Sequence, residues 1–167
     1  MRIYLDTCSL NRPYDALDLT TVNLEAQAKL TIQGWIREGK YDLVSSEMLL
    51  TEISEIPVEL RKRGITSYIE ENAAVHVGPG NNGKVHEMAL ELVRKHIGYK
   101  DACHAASAIS AGCSYLITTD YRFIKRFRRL DTELKIIDPI EFVRVMEQQN
   151  VDEPTDDTGD KEGKHDE

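Results

Sequence analysis

Short runs rich in β-branched and aromatic residues alternate along this chain with longer stretches of helical periodicity, a pattern that few folds accommodate. Arg2 to Leu5 and Tyr41 to Val44 read as strands, followed by Asp-Thr and Ser-Ser, residues suited to the passage from a strand into a helix. Ala74 to Val77, Tyr115 to Ile117 and Lys135 to Ile137 read as three more. Between them, Leu24, Ala28, Ile32, Trp35 and Ile36 recur at helical spacing before a stop at Gly39. A helix over Glu47 to Ile56 ends before Pro57, and a shorter one over Val58 to Arg63 stops at Gly64. Gly78 to Gly83 is a loop by its turn residues. Val85, Met88, Ala89, Leu92, Val93, His96 and Ile97 form an amphipathic stripe, and Ala102, Ala105, Ala106 and Ile109 give a helix face of small residues. Tyr121 to Phe127 and Pro139 to Gln148 supply the last two helices. Strands separated by helices require parallel crossovers, so the expected architecture is a three-layer α/β/α sandwich with a mostly parallel central sheet.

At 167 residues and 41% hydrophobic content the chain suits a single globular domain. The expected boundary is at residue 149, with residues 150–167 an acidic, disordered tail holding Val151 as its one aliphatic residue. That tail carries eight acids and two bases, so it accounts for −6 of the net −8 and leaves −2 for the body. A polyanionic partner is therefore not excluded by the overall charge. Three cysteines, Cys8, Cys103 and Cys113, have neither a disulfide framework nor zinc-ligand spacing. No apolar run approaches the roughly 20 residues of a membrane span. The expected setting is cytoplasmic, with no membrane partner.

Four acids stand out. Asp6 directly follows the first strand and Asp120 follows the fourth, at the edge where parallel sheets place their ligands. Glu52 lies inside the apolar stripe of its helix, between Met48, Leu49 and Ile56, where a carboxylate needs a partner. Asp101 opens a helix that can flank the same edge. Taken singly, Asp6, Asp101 and Asp120 read as turn or cap residues and Glu52 as half of an inward salt bridge. Taken together, four carboxylates in one place repel unless a cation neutralises them, and a hard ion such as Mg²⁺ or Mn²⁺ takes oxygen ligands of this kind. Such an ion polarises a phosphoryl oxygen and acidifies its water, which points to phosphodiester chemistry.

Across about residues 1 to 146 the chain resembles the PIN-domain (PilT N-terminal) ribonucleases, as found among virulence-associated type II toxins. The residues carrying the resemblance are Ile3-Tyr4-Leu5-Asp6-Thr7, Ser45-Ser46 with Glu52 downstream, and Asp101-Ala102-Cys103-His104-Ala105-Ala106-Ser107-Ala108. Leu116-Ile117-Thr118-Thr119-Asp120, Phe123 and Ile137-Asp138-Pro139 complete it. The resemblance implies a shared acidic site of Asp6, Glu52, Asp101 and Asp120 that binds one or two divalent ions, Mg²⁺ or Mn²⁺, and acts on RNA. It implies that Thr7, Thr118 and Thr119 support that site, and that an antitoxin protein and a second copy of the chain are partners.

Arg122, Lys125 and Arg126, in a basic run directly after Asp120, are candidates for positioning the nucleic-acid backbone, as are Arg12 and Lys100. His104, three residues after Asp101, reads first as a packing histidine and second as a metal ligand. Two alternatives remain at this point: a PIN-like module that binds RNA or protein without turnover, and an aspartyl-phosphate enzyme with Asp6 as nucleophile. The second expects an Asp two residues further on, where Cys8 stands.

Overall fold

A computed structural model describes residues 1–15 and 19–152. Its strands are β1 (Arg2–Leu5), β2 (Asp42–Ser46), β3 (Ala73–Val77), β4 (Tyr115–Ile117) and β5 (Lys135–Ile137). They form one sheet in the order β3-β2-β1-β4-β5 with every neighbouring pair parallel, as the alternation predicts. Ile3 is aligned with Leu43 on one side and with Tyr115 on the other. Ile3, Tyr4 and Leu5 are all fully buried, so β1 is covered on both faces, the condition under which parallel sheets are stable.

The helices are α1 (Thr7–Asn11), α2 (Thr20–Arg37), α3 (Glu47–Ser54), α4 (Glu59–Asn72), α5 (Asn82–Arg94), α6 (Tyr99–Ser110), α7 (Tyr121–Phe127) and α8 (Pro139–Asp152), with a 3₁₀ turn at Arg12–Tyr14. From β1 the chain winds outward to β2 and β3, then returns to the far side of β1 for β4 and β5. The winding therefore reverses between β1 and β4, and a crevice opens beyond the carboxyl ends of those two strands. The sandwich anticipated from the sequence is the one observed.

Several local expectations change. On α2 the buried residues are Glu25, Ala26, Lys29, Ile32, Gln33 and Ile36, whereas Leu24 is exposed. The helix is rotated because Glu25 turns inward to Arg12, at 2.8 Å. Helix α4 runs straight through Gly64 to Asn72 rather than stopping there, and a Cβ at Gly64 would lie 2.7 Å from the Tyr14 Oη. That glycine serves close approach, not termination. A 3₁₀ turn at Pro79–Asn81 and the start of α5 at Asn82 occupy most of the predicted glycine-rich loop. Helix α8 continues to Asp152, past the expected boundary at 149, and residues 153–167 of the predicted tail lie outside the described residues.

Candidate active site

Asp6 and Asp120 both end strand segments at the crevice, and both cap the helix that follows. Asp6 is the N-cap of α1, its Oδ1 accepting from the Ser9 N–H at 2.8 Å. Asp120 is the N-cap of α7, its Oδ1 accepting from the Arg122 and Phe123 N–H groups at 2.9 and 3.1 Å. Capping uses one oxygen in each case and leaves Oδ2 without a backbone partner. The Asp120 N–H donates to the Thr118 Oγ1 at 3.0 Å, which fixes the turn out of β4. Asp101 lies in the first turn of α6, and Glu52 on α3.

Glu52 is held by neighbours rather than left open. Its Oε2 accepts from the Thr7 hydroxyl at 2.5 Å and from the His104 Nε2 at 2.9 Å, while Lys100 stands 3.6 Å from Oε1. The other ring nitrogen of His104, Nδ1, is 2.8 Å from the Tyr4 hydroxyl, itself 2.7 Å from the Ser46 Oγ. With the Nε2–H donated to the carboxylate, Nδ1 is placed to meet the Tyr4 hydroxyl, which is in turn within hydrogen-bond reach of Ser46. A relay of four side chains thus ties β1, β2 and α6 to Glu52. Removing its middle link, Tyr4→Phe, is expected to cost about 1–2 kcal/mol, read as a lower urea midpoint at unchanged slope.

Electrostatics separates these acids into two kinds. Burial pushes the Asp6 carboxyl up to about 6, against the opposing pull of His104, Thr118 and the Ser9 N–H. Asp101 is also raised, first by burial and then by the charge of Asp120. Burial would raise Glu52 too, but hydrogen bonds from His104 and Thr7 and the charge of Lys100 hold it down to about 2. Although the Cys8 side chain reaches the surface, desolvation around its sulfur pushes the thiol up to about 12, with Asp6, Glu52, Asp120 and Asp101 all contributing in that order. All four acids thus act on Cys8 and disfavour its thiolate.

Asp6, Glu52, Asp101 and Asp120 all lie within electrostatic reach of Cys8, with Thr7 on Glu52 and Thr118 on the Asp120 amide. Thr119 is buried but makes no side-chain hydrogen bond among the described residues. Among the described residues, no three Asp, Glu, His or Cys side chains stand as a closed ligand set. Lys100 is engaged with Glu52 and Glu55, and Arg12 with Glu25 and Asp15. Arg122, Lys125 and Arg126 are exposed on α7. The Tyr4 and Ser46 links and the buried Glu25, which also accepts from the Tyr121 hydroxyl at 2.7 Å, are functional neighbours that no sequence motif marks. A tyrosine amid aliphatic residues in β1 was the available signal, since a buried hydroxyl needs a partner.

A family model for the PIN domain matches residues 3–130, well over half of the chain. The chain belongs to the PIN-domain family. This PIN domain is similar in fold to VapBC2 from Rickettsia felis bound to a DNA fragment from their promoter, with a TM-score of 0.51 and 17% identity over 83% of this chain and 98% of that one. It is likewise similar to FitAB bound to the IR36 DNA fragment, with a TM-score of 0.50 and 14% identity over 83% and 95% of the two chains. No curated protein matches the sequence significantly. None of the described helices of the PIN domain is long and apolar enough to cross a membrane.

Proposed function

We propose that this PIN-domain protein is an endoribonuclease dependent on Mg²⁺ or Mn²⁺, acting in the cytoplasm as the toxin of a toxin–antitoxin pair. The observation that carries the proposal is a contrast at the crevice. Glu52 is partnered by Thr7, His104 and Lys100, whereas Asp6, Asp101 and Asp120 have no basic side chain within ion-pair distance among the described residues. Hard oxygen donors left without a counter-charge, one of them nearly inaccessible to solvent, suit a divalent ion. Asp6, Asp101 and Asp120 would hold it, with Glu52 bound directly or through water; once there the ion would polarise a phosphoryl oxygen and lower the pKa of its water.

The side chains do the remaining work. Thr7 and His104 fix the Glu52 carboxylate and keep it ionised, and Thr118 holds the start of α7 so that Asp120 faces the crevice. Arg122, Lys125 and Arg126 would meet the substrate backbone from α7. The toxin role, the antitoxin and the homodimer follow from the resemblance to the virulence-associated toxins. Exposed Leu19, Leu24 and Leu30 on or next to α2, and Val58 and Leu60 at α4, offer apolar surface for such partners.

The absence of a closed ligand set among the described residues favours one second reading, a module that binds RNA or protein without turnover. Cleavage of a labelled RNA in Mn²⁺ decides between them. The proposal expects wild-type cleavage and a drop of about 100-fold or more in Asp101→Asn with the fold kept. No cleavage by the wild type, with RNA binding by calorimetry and no Mn²⁺ uptake, would establish the module instead, and equal cleavage by both proteins would remove the acidic site from the reaction.

A further inference from the structure

Beside the start of α6 lies a groove that the acidic site does not account for. Lys95, His96, Arg126 and Arg129 line this groove of about 540 Å³ floored by Ile97 and Leu130, and no acidic residue lines it. All four polar side chains are exposed, and none has an ion-pair partner among the described residues, in contrast to Arg12, Arg61, Lys100 and Arg128. The groove adjoins the acids on two sides. Gly98, also in its lining, is so near Asp101 that a Cβ there would lie 3.4 Å from Oδ2. Arg126 lies one helical turn beyond Arg122 on the face of the helix that Asp120 caps.

The end of α5 points the same way. Its last turn closes with Ile97 N–H donating to Leu92 O and His96 N–H donating to Val93 O, the pattern that places a left-handed residue between them. That residue is His96, with φ of 66°, where glycine would be free of strain. The imidazole is kept at a position whose backbone disfavours it, and it lines the groove.

We propose that this groove holds the phosphodiester backbone of the RNA on one side of the scissile bond, with Lys95, His96, Arg126 and Arg129 as its phosphate contacts. The proposal takes its ligand from the ribonuclease reading. Exposed Lys95, Arg126 and Arg129 without counter-ions among the described residues, with the His96 imidazole beside them and a site for phosphodiester chemistry adjoining, fit a polyanion that passes through both. Arg126 joins the two halves, reaching the groove and acting on Asp101.

The test uses the full-length chain and a fluorescein-labelled single-stranded 12-nucleotide RNA, with anisotropy measured in EDTA over a range of salt and cleavage measured separately in Mn²⁺. Lys95→Ala/Arg129→Ala is expected to weaken binding about tenfold in low salt and to reduce the slope of log K against log salt by about 1.4, or about 0.7 for each phosphate that is no longer neutralised. In cleavage it should raise KM and leave kcat in place. His96→Gly should weaken binding while raising the melting temperature, a pairing that a purely structural histidine would not give. Lys135→Ala, at the amino end of β5, should leave both readouts unchanged. Unchanged affinity and slope in the double variant would overturn the groove and leave the nuclease standing, as would equal weakening by Lys135→Ala. Groove-dependent binding by a wild type that does not cleave would keep the groove and overturn the nuclease. A wild type that neither binds nor cleaves overturns both.

Discussion

Asp6→Asn is expected to reduce RNA cleavage by about 10³-fold and, in the same protein, to raise the stability of the ion-free fold at pH 7. The two effects share one cause. Asp6 is buried and its proton is held up to about 6 against an ordinary value of 3.8. The folded state therefore binds more protons than the unfolded state between those values, and stability falls as pH rises through that window. A displacement of that size corresponds to about 3 kcal/mol, all of it lost by pH 7. Asparagine keeps the oxygen that accepts from Ser9 and discards the charge, so the cap survives and the penalty goes. Calorimetry in EDTA should show a melting temperature above that of wild type at pH 7, with the difference closing toward pH 4. A lower melting temperature at pH 7 would mean that the buried carboxylate is compensated within the fold. Glu52 titrates with the opposite sign: its value is held down to about 2, so its contribution is present above 4.5 and lost as pH falls toward 2.

Lys29→Met is expected to raise stability substantially at pH 7. Lys29 is 2% exposed, its ammonium 5.5 Å from the Tyr68 ring centroid, and desolvation, assisted by Arg37, lowers its value to about 7 from 10.5. An unfolded chain binds that proton throughout the interval, so stability should rise with pH from about 7 toward 10. At pH 7 the penalty is about 4 kcal/mol. Methionine is unbranched like lysine and carries no charge to desolvate. Chemical denaturation at pH 7, 8.5 and 10 should show the variant well above wild type at pH 7 and the gap narrowing as pH rises. A gap that does not depend on pH would place the gain in packing instead.

The sheet was legible because parallel strands buried on both faces carry their own signature: Ile3 to Leu5 and Tyr115 to Ile117 are short, apolar and bounded by turn residues. Asp6 and Asp120 were legible as strand-end residues for the same reason, and their convergence follows from the strand order, which places β1 beside β4. The relay behind Glu52 was not. Tyr4, Ser46 and His104 come from β1, β2 and α6, and no local pattern registers a hydrogen bond between residues 42 or 100 positions apart. The rotation of α2 escaped for a related reason. Periodicity assigns Leu24 to the core because it is apolar, yet the buried face is chosen by Glu25, whose partners Arg12 and Tyr121 are contributed by other elements. Gly64 misled in the same manner, since its role depends on Tyr14, fifty residues away.

Asp6 and Asp120 divide their two oxygens between a helix start and the crevice, and this division limits how the crevice can respond to cargo. Neither side chain can swing to meet a larger or smaller ion without releasing the amide hydrogens it restrains, so local geometry is traded against local unwinding. Loading should therefore be visible far from any reaction assay, as slowed deuterium uptake at Ser9, Arg122 and Phe123, the three amides whose protection those carboxylates govern.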